Sequence, residues 1–216
     1  MPVKIDEREY RNIEISQMEV RTADDGRMIV EGYATTFDKP YFLIKDGKIA
    51  VYEQIDRHAF DETDVSDTIM QYDHTGPVLA RGSNGTLTVA PDEYGLKVIA
   101  DLSGTERGRQ MFEEIRGGYV TKMSIGFKVP QGGDKRVRSK DADGNTIITR
   151  IIMKMAKLFD VSAVSLPAND ATEISARSTG DGLIAEAMKE VQAEEERARK
   201  IGEIRKILKG EQNHDE

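Results

Sequence analysis

The chain contains no cysteine. That excludes disulfides, thiol catalysis and every zinc site built on thiolates. Histidine is scarce as well: His58, His74 and His214 are the only three. They are too few for a histidine-rich metal site, so neither a metal nor a cofactor is expected. No apolar run approaches the roughly 18–20 residues that a membrane span requires. The first eight residues carry charge where a signal peptide would be apolar, so no membrane association or export is expected. A surplus of basic charge is also missing. With 31 Lys and Arg against 39 Asp and Glu, the formal net charge is −8, the wrong sign for general binding to nucleic acid. What is left, in 216 residues that are 32% charged and 38% hydrophobic, is an intracellular globular chain of one domain plus appendages.

Up to about Pro167 the pattern is one of short strands broken by Gly, Asp and Asn. Tyr41-Phe42-Leu43-Ile44 and Ile49-Ala50-Val51-Tyr52 flank Lys45-Asp46-Gly47-Lys48, whose Asp-Gly centre is a hairpin signal. Further strands are expected over residues 69–72, 87–89, 96–102, 122–129, 147–155 and 158–164. The cluster Asp141-Ala142-Asp143-Gly144-Asn145 should turn the chain between two of them. Two helices interrupt the strands. One is expected over residues 105–116, with Thr105 as N-cap, Met111, Phe112 and Ile115 on one face, and Gly117-Gly118 ending it. A shorter one is expected near Ala59-Phe60. Strands that do not alternate with helices point to a mainly β barrel or sandwich with one or two packed helices. The domain is read as residues 1–167, followed by a polar, flexible linker at 168–182 and a charged helical tail at 183–216.

Three residues attract attention as chemistry. His74 lies where a strand runs into the turn Asp73-His74-Thr75-Gly76. A histidine there can reach a neighbouring strand with one ring nitrogen and a carboxylate with the other. Ser124 lies in Lys122-Met123-Ser124-Ile125-Gly126-Phe127. Alternation sends Met123, Ile125 and Phe127 to the core and points Ser124 outward, with Gly126 beside it leaving room for a substrate. Asp160, between Phe159 and Val161, shares a strand face with Ser162 and Val164. On spacing alone, a turn histidine, an exposed strand serine and a structural acid remain the plainer reading. The calcium-loop mimic at residues 141–145 lacks a bidentate Glu at its twelfth position, where Ile152 stands. A hydrolase elbow is excluded because Lys122 occupies the place of its first glycine.

Six segments, in order, carry a resemblance. They are Glu31-Gly32-Tyr33-Ala34-Thr35-Thr36-Phe37-Asp38, Glu53-Gln54-Ile55-Asp56-Arg57-His58-Ala59-Phe60, Asp73-His74-Thr75, Tyr94-Gly95-Leu96-Lys97-Val98, the stretch at residues 115–127 that contains Ser124, and the stretch at 159–169 that begins Phe159-Asp160-Val161-Ser162. Together they resemble the prohead maturation proteases of tailed bacteriophages, a family related in fold to the herpesvirus assembly proteases.

The resemblance implies a small closed or partly open β-barrel of the herpesvirus protease type, with a C-terminal helical tail. It implies a serine endopeptidase in which Ser124 is the nucleophile, His74 the base and Asp160 the third member, at a place where many relatives carry Glu. His58 stands where Gly is usual and is a rival for the third role, because the herpesvirus enzymes use a second histidine. The implied partners are a phage scaffolding protein or the scaffold (delta) segment of the major capsid protein, together with a second copy of the chain in a homodimer or larger oligomer. The implied place of action is the procapsid inside the host cytoplasm, with the tail open to self-cleavage. The alternative is a non-enzymatic capsid assembly factor, a β-domain with a helical arm.

Overall fold

The structure is a computed structural model, and it describes residues 8–13, 18–164 and 170–211. Thirteen strands and two α-helices are present among these residues. In chain order they are β1 (Arg8–Ile13), β2 (Glu19–Thr22), β3 (Met28–Thr36), β4 (Tyr41–Asp46), β5 (Ile49–Ile55), β6 (Ile69–Tyr72), β7 (Val78–Arg81), β8 (Leu87–Pro91) and β9 (Gly95–Asp101). After them come α1 (Glu106–Arg116), β10 (Lys122–Lys128), β11 (Asp134–Lys140), β12 (Thr146–Ile152), β13 (Lys157–Val164) and α2 (Asp170–Glu211). The chain is mainly β, as its patterning requires.

The strands form three sheets, ordered β1-β10-β13-β6-β7, β11-β12-β5-β4 and β2-β3-β9-β8. None of them closes into a barrel among the described residues, which corrects the closed form of the expectation. Bulges at Gly126/Phe127, Tyr33/Thr35 and Phe42/Ile44 interrupt the ladders, and ladder breaks of this kind bend and twist strands locally. One core holds the sheets together, drawing Met70 from β6, Ile125 and Phe127 from β10, Leu158 and Val161 from β13, and Met111, Phe112 and Ile115 from α1.

Local signals predicted several elements well. The Thr105 hydroxyl accepts from the Gly108 N–H at 2.9 Å, so α1 starts with the expected cap. The Asp46-Gly47 hairpin joins β4 to β5, and the 141–145 cluster joins β11 to β12. Near Ala59 the structure differs. Asp56 accepts the backbone N–H of His58 at 2.9 Å and the chain goes through successive turns in place of the expected helix. Both Ala59 and Phe60 are buried there. Residues 170–182, expected as linker, are the first turns of α2; residues 168 and 169 lie outside the described residues. The reason is packing. Leu183, Ile184 and Ala187 join Ile49, Val51 and Ile148 in a second apolar cluster, and Gly180 approaches Ile44 so closely that a Cβ would lie 2.3 Å from its Cγ2.

Candidate active site

Three adjacent strands of the five-stranded sheet supply the site. β10 and β13 run antiparallel, with Ser124 opposite Ser162 and Gly126 opposite Asp160. β6 runs parallel to β13 and pairs Ala163 with Tyr72. Residues opposite each other in a ladder project to the same face, so Ser124, Asp160 and Ser162 share one. His74, two residues beyond β6, folds back onto it.

The turn that returns His74 is strained. Asp73 and His74 are consecutive non-glycine residues at φ +46 and +60, a left-handed region that Asp and His tolerate better than most. Such positions cost on the order of 1–3 kcal/mol each and persist only when their surroundings dictate them. Here the surroundings do. The Asp73 N–H donates to Ala163 O at 3.1 Å, the Gly76 N–H to Tyr72 O at 2.7 Å, and the His74 N–H to Ser162 Oγ at 3.2 Å. Gly76 is needed for closeness, since a Cβ there would lie 2.7 Å from the Tyr72 carbonyl oxygen.

The three predicted residues meet. His74 Nδ1 lies 2.7 Å from Asp160 Oδ1, and His74 Nε2 lies 2.6 Å from Ser124 Oγ. A carboxylate only accepts, so Asp160 fixes the proton on Nδ1 and leaves Nε2 turned to the serine. Burial alone would raise the Asp160 carboxyl. The His74 hydrogen bond and charge, the Ser162 hydroxyl and Arg8 outweigh it and hold the pKa below the ordinary value. The short aspartate reaches its partner because Gly126, opposite it, has no side chain: a Cβ there would lie 2.2 Å from Asp160 Oδ2. Gly126 therefore makes room for the carboxylate and not for a substrate. His58 is elsewhere, exposed and 3.0 Å from Asp61. Among the described residues no cluster of His, Asp and Glu gathers in a way that would hold a metal ion.

One expectation fails at this point. Ser124, Asp160 and His74 are 0%, 0% and 6% exposed, whereas Ser124 was expected to face outward. Alternation identified the face but not what covers it. The cover is β1, which pairs antiparallel with β10 from Arg8↔Lys128 to Ile13↔Met123. Arg8 forms an ion pair with Asp160, the Tyr10 ring packs on His74 with centroids 4.5 Å apart, and Arg11 O accepts from Ser124 Oγ at 2.9 Å. Sequence reasoning missed these contacts. It also missed Ser162, whose hydroxyl donates to Asp160 Oδ1 at 2.7 Å; its position two residues along the same strand face was the available signal.

The other face of β1 carries Glu9 and Arg11 into a buried ionic cluster. Arg11 bonds Glu53 (2.6 and 3.0 Å) and Glu9 (2.6 Å); Arg150 bonds both glutamates at 2.7–2.9 Å and also Asp134. The Tyr41 hydroxyl donates to Glu53. Burial would raise the Glu53 carboxyl, but Arg11 and Arg150 together with these hydrogen bonds hold it well below the ordinary range.

The model of the caudovirus prohead serine proteases matches residues 16–187. The chain belongs to that family. It is accordingly a peptidase, and the non-enzymatic assembly factor gives way. A "Prohead protease" of Enterobacteria phage HK97 is 27% identical over 177 residues, covering 80% of this chain and 71% of the relative. The solved bacteriophage T4 capsid assembly protease is 10% identical with a TM-score of 0.39, over 74% of this chain and 99% of that one.

Proposed function

We infer that this is a serine endopeptidase of procapsid maturation in which Ser124 is the nucleophile, His74 the general base and Asp160 the group that orients the imidazole. The observation that carries the reading is the continuous line from Asp160 Oδ1 through His74 Nδ1 and Nε2 to Ser124 Oγ, at 2.7 and 2.6 Å. In the reaction His74 Nε2 takes the hydroxyl proton as Ser124 Oγ attacks the scissile carbonyl carbon. Asp160 stabilises the imidazolium that forms. His74 then gives the proton to the leaving amine, and water, activated by the same imidazole, releases the acyl group. Ser162 holds the second edge of the geometry by donating to the same Asp160 oxygen that His74 uses.

The substrates are scaffold or capsid segments exposed inside the procapsid, in the host cell, and the enzyme works there as an oligomer. It also cuts its own chain near the junction of the β-domain with α2, discarding the charged tail. Kinship of the sheets with the herpesvirus assembly proteases belongs to the same reading and is supported by the order of the sequence motifs.

Intact-mass analysis of the purified chain and of Ser124→Ala tests it. The wild type should lose a C-terminal piece over time, while Ser124→Ala remains at full mass and slows cleavage by a factor on the order of 10⁴ or more. Equal processing of the two proteins would contradict the assignment of the nucleophile.

A further inference from the structure

We propose that Ser162 is a positioning residue of the reaction: its one hydroxyl clamps the main chain of His74 to the strand that carries the acid, and it receives part of the positive charge that His74 acquires with the Ser124 proton. The proposal rests on the reading of Ser124 as nucleophile and adds what holds and supports the base.

The register places His74 between two serines. Ser162 lies opposite Ser124 on one side and opposite Gln71 of β6 on the other. Both serines are fully buried. They take different edges of the imidazole: Ser124 Oγ is 2.6 Å from Nε2, and Ser162 Oγ is 3.2 Å from Nδ1.

A hydroxyl has one proton and two lone pairs, and the neighbours of Ser162 assign all three. Asp160 Oδ1, at 2.7 Å, is a carboxylate oxygen that only accepts, so the proton goes there. The main-chain N–H of His74, at 3.2 Å, only donates, so it takes one lone pair. The second lone pair faces Nδ1, whose proton Asp160 Oδ1 receives at 2.7 Å. The three atoms form a shared, three-centre bond. Because the Ser162 proton is committed to the acid, this second serine beside the imidazole is not a second nucleophile.

The clamp acts on a costly conformation. Asp73 and His74 lie at φ +46 and +60, and such a turn persists only where its surroundings hold it. Around His74 the ties are backbone to backbone: the Asp73 N–H donates to Ala163 O and the Gly76 N–H to Tyr72 O. The tie to the His74 N–H is made by a side chain, on β13, two residues after Asp160. One strand face therefore locates both the main chain and the ring of the base. Without the hydroxyl that N–H would be buried with no acceptor, which is costly, and the turn would shift to relieve it.

The same oxygen supports the charge. Once His74 holds the Ser124 proton, its ring is a cation, and in a buried site an oxygen lone pair at Nδ1 counts for more than in water. Burial would raise the Asp160 carboxyl, and the bonds from His74 and Ser162 are among the interactions that hold it below the ordinary value. Ser162 thus acts on both members of the acid–base pair.

The test uses the full chain with Ser162→Ala, Ser162→Thr and Ser162→Val. Threonine keeps the hydroxyl and adds a methyl group. Valine has the same branching without the hydroxyl, so the difference between these two variants is the hydroxyl. The readout is the rate constant for labelling of Ser124 by a fluorophosphonate over a range of reagent concentrations, with mass spectrometry to locate the adduct. Each curve is followed to completion, so misfolded molecules lower the end-point and not the rate. Ser162→Ala should be about 10- to 100-fold slower than wild type at saturating reagent, the loss expected for one hydrogen bond to a charged group. Its half-saturating concentration should be unchanged. Ser162→Val should fall with it, and Ser162→Thr should recover most of the rate. A wild-type rate in Ser162→Ala, or equal rates in Ser162→Thr and Ser162→Val, would overturn the role of Ser162 and leave the nucleophile standing. A wild-type adduct on Ser162 in place of Ser124, or no adduct on either, would remove the nucleophile reading and this proposal with it.

Discussion

The two faces of β1 differ in burial and in chemistry: Glu9 and Arg11 are buried, whereas Tyr10 is half-buried and Arg8 is exposed. One sends Glu9 and Arg11 into a cluster where every formal charge meets an opposite one at hydrogen-bond distance. The other lays Arg8 and Tyr10 over a serine, an imidazole and a carboxylate that three strands bring together. In the first, position is fixed by strong charges whose burial is tolerable only when they are fully paired. In the second, position is fixed by backbone: a ladder register, a two-residue left-handed turn and a glycine that leaves space for a carboxylate. The difference predicts that damage to the ionic cluster is read as lost stability, and damage to the triad face as lost activity.

The largest expected effect on stability comes from Glu53→Gln. It removes the charge of the fully buried carboxylate that Arg11, Arg150 and Tyr41 all bond, leaving Arg11 with Glu9 and Arg150 with Glu9 and Asp134, and should cost up to about 3–5 kcal/mol. Urea unfolding measures it, and a loss under about 1 kcal/mol, within the range of exposed pairs, would show that water reaches the cluster. Labelling of Ser124 in the fraction that stays folded should continue. If Glu53→Gln abolished labelling while folding stayed intact, the separation between the two faces would break down.

Gly126→Ala acts on the other face. Its methyl group would meet Asp160 Oδ2 and push the carboxylate off His74. Crowding of this kind costs about 1–3 kcal/mol, and activity should fall further than stability does. A substitution that left cleavage at the wild-type rate would mean that Asp160 has slack the structure does not show.

The smallest effect is in pH. Asp160 and Glu53 both have carboxyl pKa values lowered by folding. Such a group binds fewer protons folded than unfolded. Its contribution is complete above the ordinary carboxyl value of about 4 and is lost as the pH falls through the lowered one. The urea midpoint should therefore drop on acidification from about pH 7 to about pH 3, and less steeply in Glu53→Gln. An unchanged slope in that variant would sharpen attention on Asp160.

Much of this molecule could be read in advance. The Thr105 cap, the Asp46-Gly47 hairpin and the alternation of Met123, Ile125 and Phe127 are local, and local rules found them. His74, Ser124 and Asp160 were each ordinary by themselves; only the order of the surrounding motifs set them apart. What stayed hidden depends on register between distant segments. Nothing near Arg8 says that it reaches a residue 152 positions away. Nothing in the small, polar stretch at 170–182 says that Gly180 fits against Ile44 and lets the helix begin early. The inverse error at Ala59-Phe60 has the same origin, since an aspartate, Asp56, that bonds the backbone of the turn outweighs a weak helical preference.

The central claim is that a single serine is made nucleophilic by His74. Prolonged exposure of the wild-type and His74→Ala chains to a fluorophosphonate, followed by peptide mapping, tests it most directly. The account predicts one adduct, on Ser124, in the wild type and none in His74→Ala. An adduct on another serine, or an undiminished adduct on Ser124 without His74, would contradict it.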